Sequence, residues 1–351
     1  MHVYDYVVVG SGFSGMYMCY LLEQKYPNVK ILLLEKNDVF GGKLNNYERV
    51  HGKLHEDDNF LHLVNKLSIP ISVHFNIIHY TKQPINILQL IKECKKIVIP
   101  RSLTFKEFFI KQFGEEMYYM FNETTGTRIY EHASAMDTVF HHRFDTEGWN
   151  FSLNTQDLIK KLLEHTPNTV KMVSTDVLKI DYENDNIYIN DFFVTKNLIF
   201  ANKNIQVLNQ KQFHKIFEKS FQFHHLYQIK ITTKKNIKCN TLICENPYEK
   251  IIEVSDNHYI IESTSGEILD KTSTDIEKYL GNEITDIESI CWLNVFCTYK
   301  TLHSNFLNRE EFITFLQNFK KGIYVVGDYI SLKQNSIEGC IESVHKIINK
   351  L

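Results

Sequence analysis

The chain has 351 residues, 43% hydrophobic and 23% charged, the profile of a folded globular protein with more material than one core comfortably holds. Its formal net charge of −3 and pI near 6.6 exclude a broadly basic surface of the kind nucleic-acid binding needs. Seven cysteines, at 19, 94, 239, 244, 291, 297 and 340, form no C-x-x-C pair and no metal-ligand spacing, which fits free thiols in a reducing compartment.

No stretch reaches the roughly 18 apolar residues of a membrane span. After Met1-His2 the chain enters a strand pattern without a basic-then-apolar leader. A soluble, cytoplasmic protein is expected. Sixteen histidines are spread along the chain, and the pairs at 141–142 and 224–225 put neighbours on different faces, so no metal site is expected.

Taken in chain order, Tyr6-Val7-Val8-Val9 is a short β-branched run of the type buried in a parallel sheet. Gly10-Ser11-Gly12-Phe13-Ser14-Gly15 follows and fits G-x-G-x-x-G. Gly10 permits the tight turn, Gly12 leaves bare backbone against a pyrophosphate, and Gly15 lets the next helix pack on the strand. That helix is predicted to run from Met16 to Gln24 and to stop at Tyr26-Pro27-Asn28. Lys30 to Glu35 then reads as a second buried strand ending in an acid about twenty residues after the third glycine. Glu35 at that position would accept hydrogen bonds from ribose hydroxyls and disfavour a 2′-phosphate, with Lys36 beside it.

The next residues separate NAD from FAD. Gly41-Gly42-Lys43 stands just after the acid, and here the chain resembles the flavin-dependent amine oxidase superfamily. Its members carry a Gly-Gly-Arg segment that closes over the FAD phosphates. Lys43 stands where they have arginine, keeping the charge but losing the planar two-pronged donor. The resemblance extends along nearly the whole chain. Residues 101–116 resemble the helix that opens the substrate domain, and 148–164 resemble a glycine-tryptophan segment leading into a helix. Residues 173–203 read as three short strands, the first of which, at Val177, would face the adenine. Near the C-terminus an apolar strand leads to Gly327-Asp328, a loop, and a helix beginning near Ile337 after Ser336. The resemblance implies that Asp328 contacts the ribityl and phosphate region. It also implies that the helix dipole faces the pyrimidine end of the flavin, where it would stabilise the reduced, anionic ring.

The expected fold class is α/β: a discontinuous Rossmann-like (GR2-type) FAD-binding domain over 1–75, 146–222 and 301–351, with an α+β substrate domain over 76–145 and 223–300. Helical spacing appears over 85–99 and 104–122, and strand alternation over 225–235, 241–245, 250–256 and 258–264.

On the substrate side the resemblance implies two candidate catalytic residues. Lys230 matches the lysine that, in monoamine oxidases, holds a water at flavin N5. Cys297-Thr298-Tyr299 echoes the cysteine-tyrosine pair that bonds the flavin and walls an aromatic cage, with Trp292 upstream. The second cage aromatic is missing, because that neighbourhood reads Asn335-Ser336-Ile337-Glu338-Gly339-Cys340, wording closer to protoporphyrinogen-oxidase-like relatives. Asp57 and Asp58 stand where relatives place small backbone at the flavin edge. Carboxylates there would oppose an anionic flavin unless the loop turns them away.

The expectation is an FAD-dependent oxidoreductase that oxidises an amine or related small-molecule substrate by hydride transfer to N5, with oxygen as acceptor giving hydrogen peroxide. Two alternatives stay open: a desaturase of a polycyclic substrate on the same fold, and a flavin-binding protein with little turnover and a structural role.

Overall fold

The structure, a computed structural model, describes all residues except 55, 82–83, 126–127, 142–143, 145–146, 204, 206–210, 237–240, 245–247, 256 and 303; for 46, 211–213, 255 and 290–296 it describes the backbone alone. His142 and Cys239 therefore lie outside the described residues, as do the side chains of Cys291 and Trp292. The chain divides into two compact units, Met1–Val73, Phe151–Lys219 and His303–Leu351 in one, His74–Asn150 and Ser220–Leu302 in the other.

The first unit is built on a seven-stranded sheet. Its centre is β1 (His2–Val9), which pairs in parallel with β2 (Ile31–Leu34) on one side and with Phe193–Phe200 on the other, placing Val7 opposite both Leu32 and Leu198. Thr169–Met172 continues the parallel ladder beyond β2. Phe193–Phe200 divides its free edge: its first half takes the antiparallel strand Asn186–Ile189, and its second half takes Ile323–Val325 in parallel. The unbroken run of valines is explained by burial on both faces, since Val7 and Val8 have no exposed surface.

Helix α1 (Phe13–Lys25) starts three residues earlier than the apolar spacing predicts, because the loop glycines already carry helical hydrogen bonds from Gly15 and Met16 back to Gly12. It packs against the C-terminal helix Ile337–Ile348 and against Thr155–Glu164, so Met16, Met18, Cys19 and Leu22 are all buried. Polar contacts pin the C-terminal helix to it: Lys25 Nζ donates to the Ile348 carbonyl at 2.7 Å, and Tyr17 Oη meets His345 Nε2 at 2.8 Å. A shorter helix, α2 (Asp58–Lys66), buries Phe60, Leu63 and Val64 in the same core.

The second unit holds a six-stranded sheet in the order Ile284–Tyr299, Phe221–Thr233, His258–Ser263, Lys250–Ser255, Thr241–Ile243, Ile78–Tyr80. Its pairs are antiparallel except the last. A separate helical cluster is built round Phe105, Phe108, Phe109 and Phe121, none of which has exposed surface. The helical spacing over 104–122 resolves into two helices, Phe105–Phe113 and Glu115–Thr125. The break is Gly114, whose φ of 89° a residue with a Cβ rarely adopts. The first of the two opens on a capping box, in which Thr104 and Glu107 each accept from the other's backbone N–H. Among the described residues no helix is long and apolar enough to cross a membrane.

Candidate dinucleotide-binding site

The turn from β1 into α1 is dictated by close approach. A Cβ on Gly15 would lie 1.9 Å from the Gly10 carbonyl oxygen, so the helix can sit this near its strand only with glycine there. Gly10 holds φ at 99°. Gly12 differs from both: a Cβ on it would meet nothing within 4 Å, so its backbone borders open space. No side chain caps the start of α1 and its first turn carries no acid. Its N–H groups and positive dipole end thus lie beside bare glycine backbone with no acid of their own turn against them, a site suited to an anion.

The Gly41-Gly42 pair lies directly against this loop. Gly41 N–H donates to the Ser11 carbonyl at 3.1 Å and to Ser11 Oγ at 3.3 Å. A Cβ on Gly42 would fall 2.9 Å from Gly12 Cα. The second glycine segment therefore closes the first, as the resemblance implies, and brings Lys43 with it.

Glu35 is buried at the end of β2, with 4% of its surface exposed. Its Oε2 accepts from Ser11 N at 2.9 Å and from Ser11 Oγ at 2.6 Å, and its Oε1 accepts from Asn37 N at 3.0 Å. A carboxylate has about four acceptor positions, so Oε1 keeps capacity for a ribose hydroxyl while Ser11 holds the other oxygen in place. Ser11 is a residue the motif reading missed; its only signal was its place inside G-x-G. Lys36, next to Glu35, is exposed to solvent. Val177 is buried but precedes the first of the three strands rather than lying in it. The segment leading to it is tied to the acid, since Thr175 N–H donates to the Glu35 carbonyl at 2.8 Å and Ser174 N–H to the Asn37 carbonyl at 2.7 Å.

The C-terminal elements come to the same place. Gly327 has φ 149° and donates its N–H to Ser343 Oγ at 2.9 Å, and Asp328 opens a short 3-10 turn. The Cys340 thiol, on the first turns of the C-terminal helix, is the meeting point. Burial pushes its pKa up to about 12, the Asp328 charge adds to the rise, and a hydrogen bond with Ser14 and the charge of Lys43 oppose it. One sulfur thus feels the start of α1, the cation of the second glycine segment and the acid after the last strand.

Ser336 caps the C-terminal helix: its Oγ accepts from Gly339 N at 3.0 Å and donates to the Lys333 carbonyl at 2.8 Å. Ile337 is the first helical residue, as expected. Glu338, in the first turn, is buried, and it turns towards α2, accepting from Asn59 Nδ2 and from Phe60 N at 3.1 Å. The acidic loop turns likewise. Asp57 Oδ2 accepts from Lys53 N at 2.7 Å, folding back on its own turn, and Asp58 is exposed at the start of α2.

In the second unit the candidate catalytic residues sit in different surroundings. Lys230 lies on Phe221–Thr233 with its side chain 42% exposed and its Nζ 3.8 Å from Glu288 Oε2 on the neighbouring strand. That is a half-solvated cross-strand pair rather than a lysine in a dry cavity. Tyr299 is buried against Phe221, ring centroids 5.2 Å apart, and its carbonyl accepts from Ser134 N at 2.7 Å. Cys297 has no exposed surface.

Residues 8–67 match the family model of an NAD(P)-binding Rossmann-like domain. Cyclohexylamine oxidase from Brevibacterium oxydans IH-35A superposes with a TM-score of 0.75, at 10% identity over 99% of this chain and 98% of that one. A putative protoporphyrinogen oxidase from Exiguobacterium sp. 255-15 superposes with a TM-score of 0.67, at 14% identity over 99% and 98%. A short stretch of 40 residues is 45% identical to Uncharacterized protein R188 of Acanthamoeba polyphaga mimivirus, covering 11% of this chain and 8% of that protein. Residues 8–67 thus match a Rossmann-like nucleotide-binding domain, and the chain shares its fold with cyclohexylamine oxidase and the putative protoporphyrinogen oxidase.

Proposed function

We propose that the chain is an FAD-dependent oxidoreductase acting on a small-molecule amine or a related C–N or C–C substrate. The observation that carries this reading is the convergence of Ser14, Lys43 and Asp328 on Cys340. A plain NAD site needs the glycine turn and the acid alone. The added Gly-Asp turn and capped helix are what a longer molecule with a ribityl chain and a ring would engage.

Bound FAD would supply the redox chemistry, accepting a hydride equivalent at N5 and passing electrons to oxygen to give hydrogen peroxide. The protein's part is binding and orientation. Glu35 would take the adenosine ribose, backed by Ser11, with Val177 beside the adenine. Gly10, Gly12, Gly15 and Gly42 leave room for the pyrophosphate, whose charge meets the α1 N-terminus and Lys43. Gly327 and Asp328 would meet the ribityl region, and the helix at Ser336-Ile337 would direct its dipole at the far end of the ring. The bond from Lys53 N to Asp57 supports a loop whose carboxylates would turn away from a reduced, anionic ring.

A second reading is a flavin-binding protein with little amine turnover. It is favoured by the placement of Lys230 in a half-solvated ion pair and by the burial of Tyr299 and Cys297. The amine oxidase and protoporphyrinogen oxidase neighbours support amine oxidation and polycyclic desaturation as the activities to try first.

The purified protein is expected to be yellow and to release FAD on acid precipitation, with the free pellet colourless. Gly12→Val and Glu35→Ala, folded by circular dichroism, are expected to lose the chromophore; unchanged FAD content in both would refute the site. Peroxide release with an amine panel supports oxidase action. A photoreduced flavin that reoxidises without any turnover of amines or tetrapyrroles supports the second reading.

A further inference from the structure

A cavity lies wholly within the second unit and is independent of the flavin proposal. It has a volume of about 200 Å³ and is lined by Arg128, Glu131, His132, His224, Glu249 and Thr264, among others. These residues come from separate segments: the loop 128–132, the strand Phe221–Thr233, the turn before Lys250–Ser255, and the residues after His258–Ser263. The space is several water volumes, enough for a compact organic ion of a few heavy atoms.

Glu249 forms the buried wall. It is 4% exposed and holds a left-handed backbone, φ 43°, which residues with a Cβ seldom take. Its carboxyl accepts from Thr264 N at 2.7 Å and from Thr264 Oγ1 at 3.0 and 3.1 Å. Glu131, the other acid at the cavity, is already paired with Lys106. The acids are therefore engaged, one by Thr264 and one by a lysine. What the cavity offers an incoming molecule is the Arg128 guanidinium and the two imidazoles, of which His224 is steadied by Thr298 Oγ1 at 3.0 Å from its Nε2. A cation would find its carboxylates occupied and a guanidinium opposing it. An anion would find a fork of donors.

We propose that this cavity is a binding site for a small organic carboxylate, gripped by Arg128 with His132 and His224 over the buried Glu249. The proton balance follows from the acid. Burial raises the Glu249 pKa to about 7, with the Glu262 charge adding to the rise and Thr264 and Arg128 opposing it. A bound anion raises it further, so Glu249 takes up a proton from solvent and can donate its O–H to a ligand oxygen. The neighbouring Lys106–Glu131 pair holds the Glu131 carboxyl below and the Lys106 ammonium above their ordinary values, so neither changes charge across neutral pH. Binding therefore tightens as pH falls through neutrality.

The test is calorimetric or NMR titration of the full chain with propionate. Saturable binding is expected, weakening by up to about tenfold between about pH 6 and about pH 8, the most that uptake of one proton by a group titrating near 7 can produce. Arg128→Ala, at an exposed position, is expected to weaken it at least about tenfold. Glu249→Gln is expected to keep binding, because the amide still donates, and to flatten the pH dependence. No saturable binding, equal binding by wild type and Arg128→Ala, or tighter binding at the higher pH would overturn the proposal. Equal competition by inorganic phosphate would overturn the carboxylate assignment.

Discussion

The glycine site of the first unit and the side-chain cavity of the second bind, as proposed, by opposite means. In the first, the backbone is the binding surface, and the residues matter for what they lack: no Cβ at Gly12, none possible at Gly15 or Gly42. In the second, the groups offered to a ligand are side chains drawn from several segments, while the backbone serves chiefly to carry them. A backbone site tolerates few residue types at fixed spacing, whereas a side-chain site can be assembled from any segments the fold brings together.

The comparison breaks most sharply at Gly15. Gly15→Ala forces a Cβ against the Gly10 carbonyl oxygen at 1.9 Å, and α1 must leave its strand. A loss of more than about 3 kcal/mol is expected, read as a lowered denaturation midpoint. A variant of unchanged stability would show that the turn is not under this constraint.

The cavity responds to pH instead of to volume. Because the Glu249 pKa is raised in the fold to about 7 from an ordinary 4.5, its contribution to stability is complete below about 4.5 and is lost as pH rises through about 7. That loss amounts to up to about 3 kcal/mol. Glu249→Gln removes the titrating group, so the variant is expected to gain stability over wild type at about pH 8 and to show a flatter profile from about pH 5 upward. Parallel wild-type and variant profiles in chemical denaturation would contradict this.

The smallest effect sharpens the contrast within the second unit. Thr104→Ala removes the cap of Phe105–Phe113 and is expected to cost about 1 kcal/mol, with the phenylalanine core intact. Urea denaturation would measure it, and a null result would mean the cap is replaced by solvent.

The same contrast explains what could be read from the chain beforehand. Val7 to Val9, the three glycines of the first turn, Glu35, the Gly41-Gly42 pair and the start of the last helix at Ile337 all carry constraints that act locally. A tight turn, a doubly buried strand and a helix start each leave a mark within a few residues. Ser11 was invisible because its hydrogen bonds to Glu35 reach across 24 positions to an acid that many residue types could have accompanied. Asp57 and Asp58 left two outcomes open, and the Asp57 bond to Lys53 N is a fold-back that no sequence signal announces. Lys230 shows the limit of alternation. Strand periodicity says that it faces one side of its sheet, but not whether that side is wet, and Glu288 on the next strand is what holds it. The Glu249 cavity has no motif at all, since its walls come from positions 128 to 265.

The thiol at Cys340 has an electrical consequence. With a pKa pushed up to about 12, it stays uncharged at any pH a cell tolerates. The Lys43 cation and the Asp328 anion act on it in opposite senses, so the sulfur sits uncharged between opposed charges, and its neutrality leaves both of them to act on whatever occupies the space beside it.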